Sequence, residues 1–321
     1  MKRIRFGRTG EDVSAVALGT WGHSGPNEAG GVPVGWSGHD DNQATAAIIT
    51  AYENGINHFD TADVYGNGRA ERLIGGVWEG VSRDEIFLAT KVGWDKGEFE
   101  DYYHPALIQR HLEASLKNLK VDLIDLYYFH HCDFGPGDRA LDDALEVMLR
   151  AKEAGTIRYI GLSDWDASKI VRLVDRVDPD VVQPYRNVVD DDYVTSGLKE
   201  IVDERDLGVA FFSPIKHGLL LGKYKLPSTF PNGDFRSRID DFRDSETLDR
   251  YQQAASALEG RFEEHEEPIL YGLVGALRAD SPTASVLLGQ RNEAQALAAS
   301  KVGEALSVPD ADWVRHAYRK K

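Results

Sequence analysis

Eight short runs of the chain are apolar on both alternating faces, and most are followed by a stretch in which apolar residues recur at helical spacing. The runs occupy 15–18, 57–59, 86–90, 123–129, 157–162, 181–184, 209–212 and 285–288. Strands buried on both faces belong to parallel sheets, and parallel neighbours require a crossover, usually a helix. Two of the intervening stretches show this well. Segment 42–54 follows Asp40 and Asp41, which are candidate N-caps, and segment 106–118 places Leu107, His111, Leu112, Ser115, Leu116 and Leu119 on one stripe. Eight strands with eight crossovers predict an α/β fold, the (β/α)8 TIM barrel. Segment 3–16 differs: Arg8-Thr9-Gly10-Glu11 is a turn between two short alternating runs, so an N-terminal β-hairpin is expected to close the barrel's N-terminal end. Two connections are unusually long, the glycine-rich 22–38 with its Trp36, and 218–247. Both leave C-terminal strand ends, where barrel enzymes carry chemistry, so they read as substrate and cofactor loops rather than plain surface loops.

Composition narrows the class. A chain of 321 residues could hold two domains, but nothing in it reads as a linker, a repeat or a low-complexity tail, and barrels of this size form one domain; 1–321 is therefore read as a single unit. The net charge of −16, from 53 acids and 37 bases, argues against a nucleic-acid or anionic-membrane surface and points to a small-molecule partner. Cys132 is the only cysteine, so an intramolecular disulfide and a cysteine-built zinc site are excluded, as suits a reducing compartment. No apolar run approaches the length of a membrane span, and no apolar segment follows the basic N-terminus. A soluble, cytoplasmic protein is expected.

The candidate chemistry sits at strand ends. Asp60, directly after the second run, ends strand two, Tyr65 follows it by five residues, and Lys91 and His130, directly after the third and fourth runs, end strands three and four, so adjacent strands would aim all four into one mouth. A tyrosine is a weak acid at neutral pH, and an adjacent Lys91 ammonium is expected to lower its pKa. Asp60 would hold Lys91 charged, and His130 would hydrogen-bond a carbonyl oxygen beside Tyr65. Tyr65 would then protonate that oxygen as negative charge develops on it. Taken singly, each residue also has a plain structural reading as a cap, a solvated charge or a core histidine. His130-His131 with Asp133 suggests a metal site, but adjacent strand residues point to opposite faces, so none is expected. A different class, a Schiff-base aldolase, would use Lys91 as the nucleophile with Asp60 and Tyr65 moving protons. The Gly-x-Gly-x-x-Gly of a dinucleotide-binding domain is missing, since Gly19-Thr20-Trp21-Gly22 has the wrong spacing.

The stretch Phe59-Asp60-Thr61-Ala62-Asp63-Val64-Tyr65-Gly66, with Lys91 and His130 following in order, resembles the signature of the aldo-keto reductases, and the resemblance runs over nearly the whole chain. It implies a nicotinamide cofactor lying extended across the barrel mouth, with Gly19, Thr20, Trp21 and Asp60 among its contacts. Arg158-Tyr159-Ile160-Gly161-Leu162-Ser163-Asp164 is similar to the family's Arg-x-Ile-Gly-Val-Ser-Asn, whose last two side chains hold the carboxamide; Asp164 departs from the asparagine. Gln183 matches a further carboxamide contact, and Phe212 stands where the family stacks an aromatic ring on the nicotinamide. The run from Ser213, Pro214 and Ile215 to Gly218, Leu219 and Lys223 resembles the family's pyrophosphate loop. Gly289-Gln290-Arg291 with Gln295 resembles its adenosine end, where Arg291 suits a 2′-phosphate and favours NADP(H), leaving NAD(H) open. Ala298-Ala299 replaces the family's frequent Glu-Asn grip on adenine. Trp21, Trp36, Trp94, His131 and Trp165 are candidate substrate contacts. Segment 233–236 resembles a loop of bacterial-type members acting on sugars, polyols and xenobiotic aldehydes. The family also includes cofactor-binding regulatory subunits of ion channels, a non-enzymatic alternative.

Overall fold

The computed structural model describes residues 1–319. It opens on β1 (Arg3–Arg5) and β2 (Asp12–Ser14), an antiparallel pair joined through a 3-10 turn at Gly7–Thr9. After β3 (Val16–Gly19), the long loop carries its own antiparallel ribbon, β4 (Glu28–Ala29) and β5 (Val32–Pro33). The remaining strands are β6 (His58–Asp60), β7 (Phe87–Val92), β8 (Ile124–Phe129), β9 (Ile157–Asp164), β10 (Val181–Pro184), β11 (Gly208–Phe211) and β12 (Ser285–Gly289). With β3 they close an eight-stranded barrel in which every neighbouring pair is parallel. Each apolar run of the sequence is one of these eight strands, with ends shifted by no more than two residues.

The crossovers are α1 (Asp41–Glu53), α2 (Arg69–Gly75), α3 (Pro105–Leu119), α4 (Leu141–Glu153), α5 (Ala167–Val177), the single turn α6 (Asp192–Thr195) with α7 (Leu198–Arg205), α8 (Ser245–Arg261) with α9 (Pro268–Arg278), and α10 (Glu293–Ser300) followed by α11 (Val308–Arg319). Asp40 caps α1, its carboxylate accepting the Gln43 N–H. In α3 the buried face is Leu107, Ile108, Leu112, Ser115 and Leu119; His111 and Leu116 lie half-buried at its margin, and His111 pairs with Asp63 at 2.7 Å. No helix among the described residues is long and apolar enough to cross a membrane.

Two apolar layers result. One fills the space between barrel and helices. The other fills the barrel floor, where Ile4, Phe6 and Val13 of the hairpin pack on Ala17, Phe87, Ala89, Leu126, Val181 and Leu287. The hairpin therefore closes the N-terminal end, and chemistry is confined to the opposite mouth. Gly161 in β9 is needed for this filling: a Cβ there would stand 2.2 Å from the Tyr128 ring.

The floor also contains a buried base. His58 meets Phe6 edge-on at 5.3 Å and bonds Ser285 Oγ through Nδ1 at 3.0 Å, while Nε2 has no partner among the described residues. Burial pushes its pKa down to about 3, and that of His23 to about 4. In the unfolded chain both would titrate near their ordinary value, so below about pH 6.5 the unfolded state binds more protons and stability falls with pH. The thermal midpoint is expected to hold steady from pH 8 to 7 and to drop steadily between about pH 6.5 and 4.5, before most carboxylates protonate. A midpoint flat across that window, measured by circular dichroism, would contradict this account.

Candidate active site

Asp60 is the last residue of β6, Lys91 the fifth of β7, and His130 follows β8 directly. The register sets Asp60 beside Ala89, two residues before Lys91 on the same face of β7. The stagger of the barrel thus brings the ammonium onto the carboxylate, with Nζ 2.5 Å from Oδ1. Lys91 also donates to the Thr61 carbonyl at 2.7 Å, and the Gln183 amide donates to the second Asp60 oxygen at 2.9 Å. Both charges are nearly sealed, at 1% and 2% exposure. Burial raises the Asp60 carboxyl above its usual range, and Lys91 and Gln183 oppose that rise.

Tyr65 stands in the loop after β6, its ring centre 5.4 Å from Lys91 Nζ. The expected lowering of its pKa is not found. Two of the three ammonium protons are committed to Asp60 and Thr61, and burial, reinforced by the negative Asp60 and Asp63, holds the phenol well above its ordinary value. Tyr65 is therefore a protonated donor at physiological pH. His130 meets the Tyr65 ring at 5.8 Å and Trp94 at 5.9 Å, both edge-on. Burial, helped by Lys91 and His131, pushes its pKa well below the usual value, so it is a neutral imidazole.

A cavity of about 250 Å³ opens over this group. Asp60, Tyr65, His130, Gly19, Thr20 and Trp21 line its inner part, and Trp36, Trp94 and Trp165 its walls. Ser163, Gln183, Phe212, Ser213, Pro214, Ile215 and Gly218 line it along the ends of β9 to β11. Lys223, Gly289, Arg291 and Gln295 lie at the outer end. Ala298 and Ala299 line the same cavity; their small side chains leave room there and add no polar group.

Four residues singled out in the sequence do not line it. Lys91 lies beneath, shielded by Asp60 and Thr61. Asp164 turns its carboxylate to two backbone donors, the Cys132 N–H beyond the neighbouring strand at 2.8 Å and its own loop's Asp166 N–H at 2.9 Å, because an acceptor-only group beside free amides satisfies itself there. Leu219 is 1% exposed and packs into the core. His131 points away from His130, with Nε2 2.5 Å from the Gly93 carbonyl and Nδ1 accepting the Asp133 N–H at 3.1 Å. The alternation that argues against a shared metal also removes His131 from the pocket. Gln183 lines the cavity, but its amide is already engaged with Asp60. Among the described residues no three His, Cys, Asp or Glu side chains are grouped so as to hold a metal ion.

The two long loops dock on each other over the outer end. Asn27 N–H and Gly35 N–H donate to the Gly233 carbonyl at 3.0 and 3.1 Å, and the Phe235 N–H donates to the Gly35 carbonyl at 2.9 Å. Gly35 permits this approach, since a Cβ would lie 2.2 Å from the Asn27 nitrogen. The Asp234 carboxylate accepts from Ser37 N–H and Oγ at 2.8 and 2.6 Å and from Arg236 at 2.7 Å. Arg236 lies over the Trp36 ring at 4.4 Å. Arg291 donates to the Ser37 carbonyl at 3.0 Å and also to that of Gly38. Lys223, Arg236 and Arg291 thus share one cavity wall. Burial lowers the Lys223 pKa, and so do the two arginines. In a chain of net charge −16, three cations at one wall, of which only Arg236 is paired with an acid among the described residues, Asp234, fit a polyanionic ligand. The N-terminus of α10, just after Arg291, adds to the same field.

Arg236, Phe235, His217, Tyr224 and Val34 also line the cavity and were not singled out. Segment 233–236 drew attention only as a resemblance, because the inward turn of Phe235 and Arg236 depends on loop docking that local sequence does not encode.

The model of the aldo/keto reductase family matches residues 15–314. A fission yeast (Schizosaccharomyces pombe) protein named as an NADP(+) aldo-keto reductase is 34% identical over 211 residues, 63% of this chain and 61% of that protein, so the match spans under two thirds of its length. The Bacillus subtilis aldo-keto reductase YhdN is 30% identical over 247 residues, 76% of this chain and 71% of its own. Among solved structures, a glycerol dehydrogenase of Gluconobacter oxydans superposes with a TM-score of 0.80 at 25% identity, covering 99% of this chain and 96% of that one.

Proposed function

Given that the chain belongs to the aldo/keto reductase family, with an NADP(+) aldo-keto reductase among its relatives, we propose that it transfers a hydride between NADP(H) and an aldehyde, ketone or keto-sugar carbonyl. The observation that carries this reading is the polarity of one cavity: a protonated phenol and a neutral imidazole at the inner end, three cations at the outer end. NADP(H) supplies the hydride when bound. Tyr65 and His130 together offer two donors to a carbonyl oxygen, and Tyr65 gives up its proton as negative charge develops there. The third proton of the Lys91 ammonium, unused by Asp60 and Thr61, is left to stabilise the resulting phenolate. Asp60 and Gln183 hold that ammonium in place. Phe212 offers a ring face to a flat heterocycle, and the docked loops wall the outer part of the cavity. Schiff-base chemistry at Lys91 finds no support, since that route needs a free amine open to substrate and this one is paired and sealed.

Titration with NADPH and NADH by fluorescence, followed by turnover on a carbonyl panel including keto sugars, tests the reading. Tight cofactor binding with no turnover on any carbonyl would sink it. Arg291 is assigned to the 2′-phosphate. Arg291→Gln is expected to weaken NADPH about 10-fold or more, through loss of charge-assisted hydrogen bonds, and to change NADH by no more than about 2-fold. Equal weakening of both would limit Arg291 to bracing the 22–38 loop.

A further inference from the structure

We propose that His217 recognises a hydroxyl group of the substrate, so that the site selects carbonyl compounds hydroxylated a few carbons from the reacting centre. This rests on the reductase reading above and deepens it.

His217 sits in a left-handed backbone conformation, φ 58° and ψ 23°, between Lys216 at φ 46° and Gly218 at φ 90°. A histidine holds that geometry only against strain, and a glycine would hold it freely, so the turn itself gives no reason for an imidazole. The side chain is also costly to place. The residue is 9% exposed, and its ring is enclosed by Trp21 at 5.7 Å, Trp36 at 6.0 Å, Trp165 at 5.8 Å and Phe235 at 5.5 Å. Neither ring nitrogen makes a hydrogen bond among the described residues, and neither is sealed from solvent, so both stand open to the cavities that the ring lines. A ring held among four aromatic faces with both nitrogens free on a cavity is placed to pair with a ligand's polar group.

The position suits that role. His217 lines the cavity that holds Tyr65 and His130, and on its other side, with Trp165 and Phe235, it borders a wider groove of about 850 Å³. Trp21 stacks on Tyr65 at 6.1 Å and meets His217 edge-on, so the phenol and the imidazole flank one indole. A carbonyl compound of a few carbons bridges such a gap. Burial pushes the His217 pKa down to about 3, so the ring is neutral, with one nitrogen donating and the other accepting. A hydroxyl satisfies both roles, whereas a methyl group satisfies neither. The surrounding indole and phenyl faces pack against the C–H groups between.

Two variants test this. His217→Gly removes the side chain and relieves the backbone, so folding is kept; His217→Asn also tolerates the left-handed turn and keeps a donor and an acceptor. The readout is kcat/KM with NADPH for D-glyceraldehyde and D-erythrose against propanal and butanal. The Gly variant is expected to lose about 10-fold or more on the hydroxylated pair and less than about 3-fold on the plain pair, with the Asn variant recovering part of the preference. An unchanged preference, or equal losses on both pairs, overturns the proposal. Tryptophan fluorescence titration with erythritol and butan-1-ol reads hydroxyl recognition without turnover. Erythritol binding that depends on His217, in a protein that reduces no carbonyl, would overturn the reductase reading and uphold this one. Turnover on butanal with no preference dependent on His217 would do the reverse.

Discussion

Tyr65→Phe is expected to lower kcat by about 10³-fold, the upper part of the range for loss of a positioned general acid, while the Kd for NADPH stays within about 2-fold. The substitution removes one oxygen and leaves the ring stacked on Trp21 at 6.1 Å and against His130 at 5.8 Å, so the shape of the cavity persists. Stopped-flow hydride transfer and fluorescence titration separate the two quantities. Because burial holds the phenol well above its ordinary pKa, the acid form of Tyr65 persists as pH rises. On its account kcat/KM should show no alkaline fall below about pH 10. A phenol with a pKa lowered by Lys91 would instead produce a fall near neutrality. Wild-type rates in the Phe variant would remove Tyr65 from the role of proton donor.

Lys91→Met is expected to destabilise the fold by about 3–5 kcal/mol, because it strands a buried charge. Asp60 would keep only the Gln183 amide at 2.9 Å as a partner, inside a site it shares with no other cation. The double variant Asp60→Asn with Lys91→Met should recover much of that loss, since it removes the uncompensated charge, yet it should remain inactive. Urea midpoints and turnover measured on the same three proteins check both statements. A double variant as unstable as Lys91→Met alone would show that the ion pair is not what the substitution breaks.

Much of the fold was legible because parallel barrel strands are buried on both faces and so read as unbroken apolar runs. The ends of β9 and β7 were set too early, since Ser163-Asp164 and Lys91-Val92 continue the ladder with polar or charged side chains that hydrophobicity does not flag. The site was legible as far as its chemistry is carried by strand ends. Asp60, Tyr65 and His130 converge on one cavity with Lys91 beneath it, as strand adjacency requires. Side chains in the connections were harder to place. Asp164 is drawn to the Cys132 amide, Leu219 turns into the core, and Arg236 turns into the cavity, outcomes decided by neighbours distant in sequence.

By itself, then, the sequence determined the barrel, its closing hairpin and the set of groups able to move a proton, since all three follow from periodicity and residue type. Tertiary structure alone decided how those groups are tuned. Burial beside Asp60 and Asp63 keeps the proton on Tyr65; the 22–38 and 218–247 loops bind each other and set Lys223, Arg236 and Arg291 on one wall; and His217 sits in an aromatic enclosure with no hydrogen-bond partner among the described residues. The physical reason is common to all of these. Desolvation and the direction of a hydrogen bond depend on what closes around a group in space, and a linear pattern does not contain that.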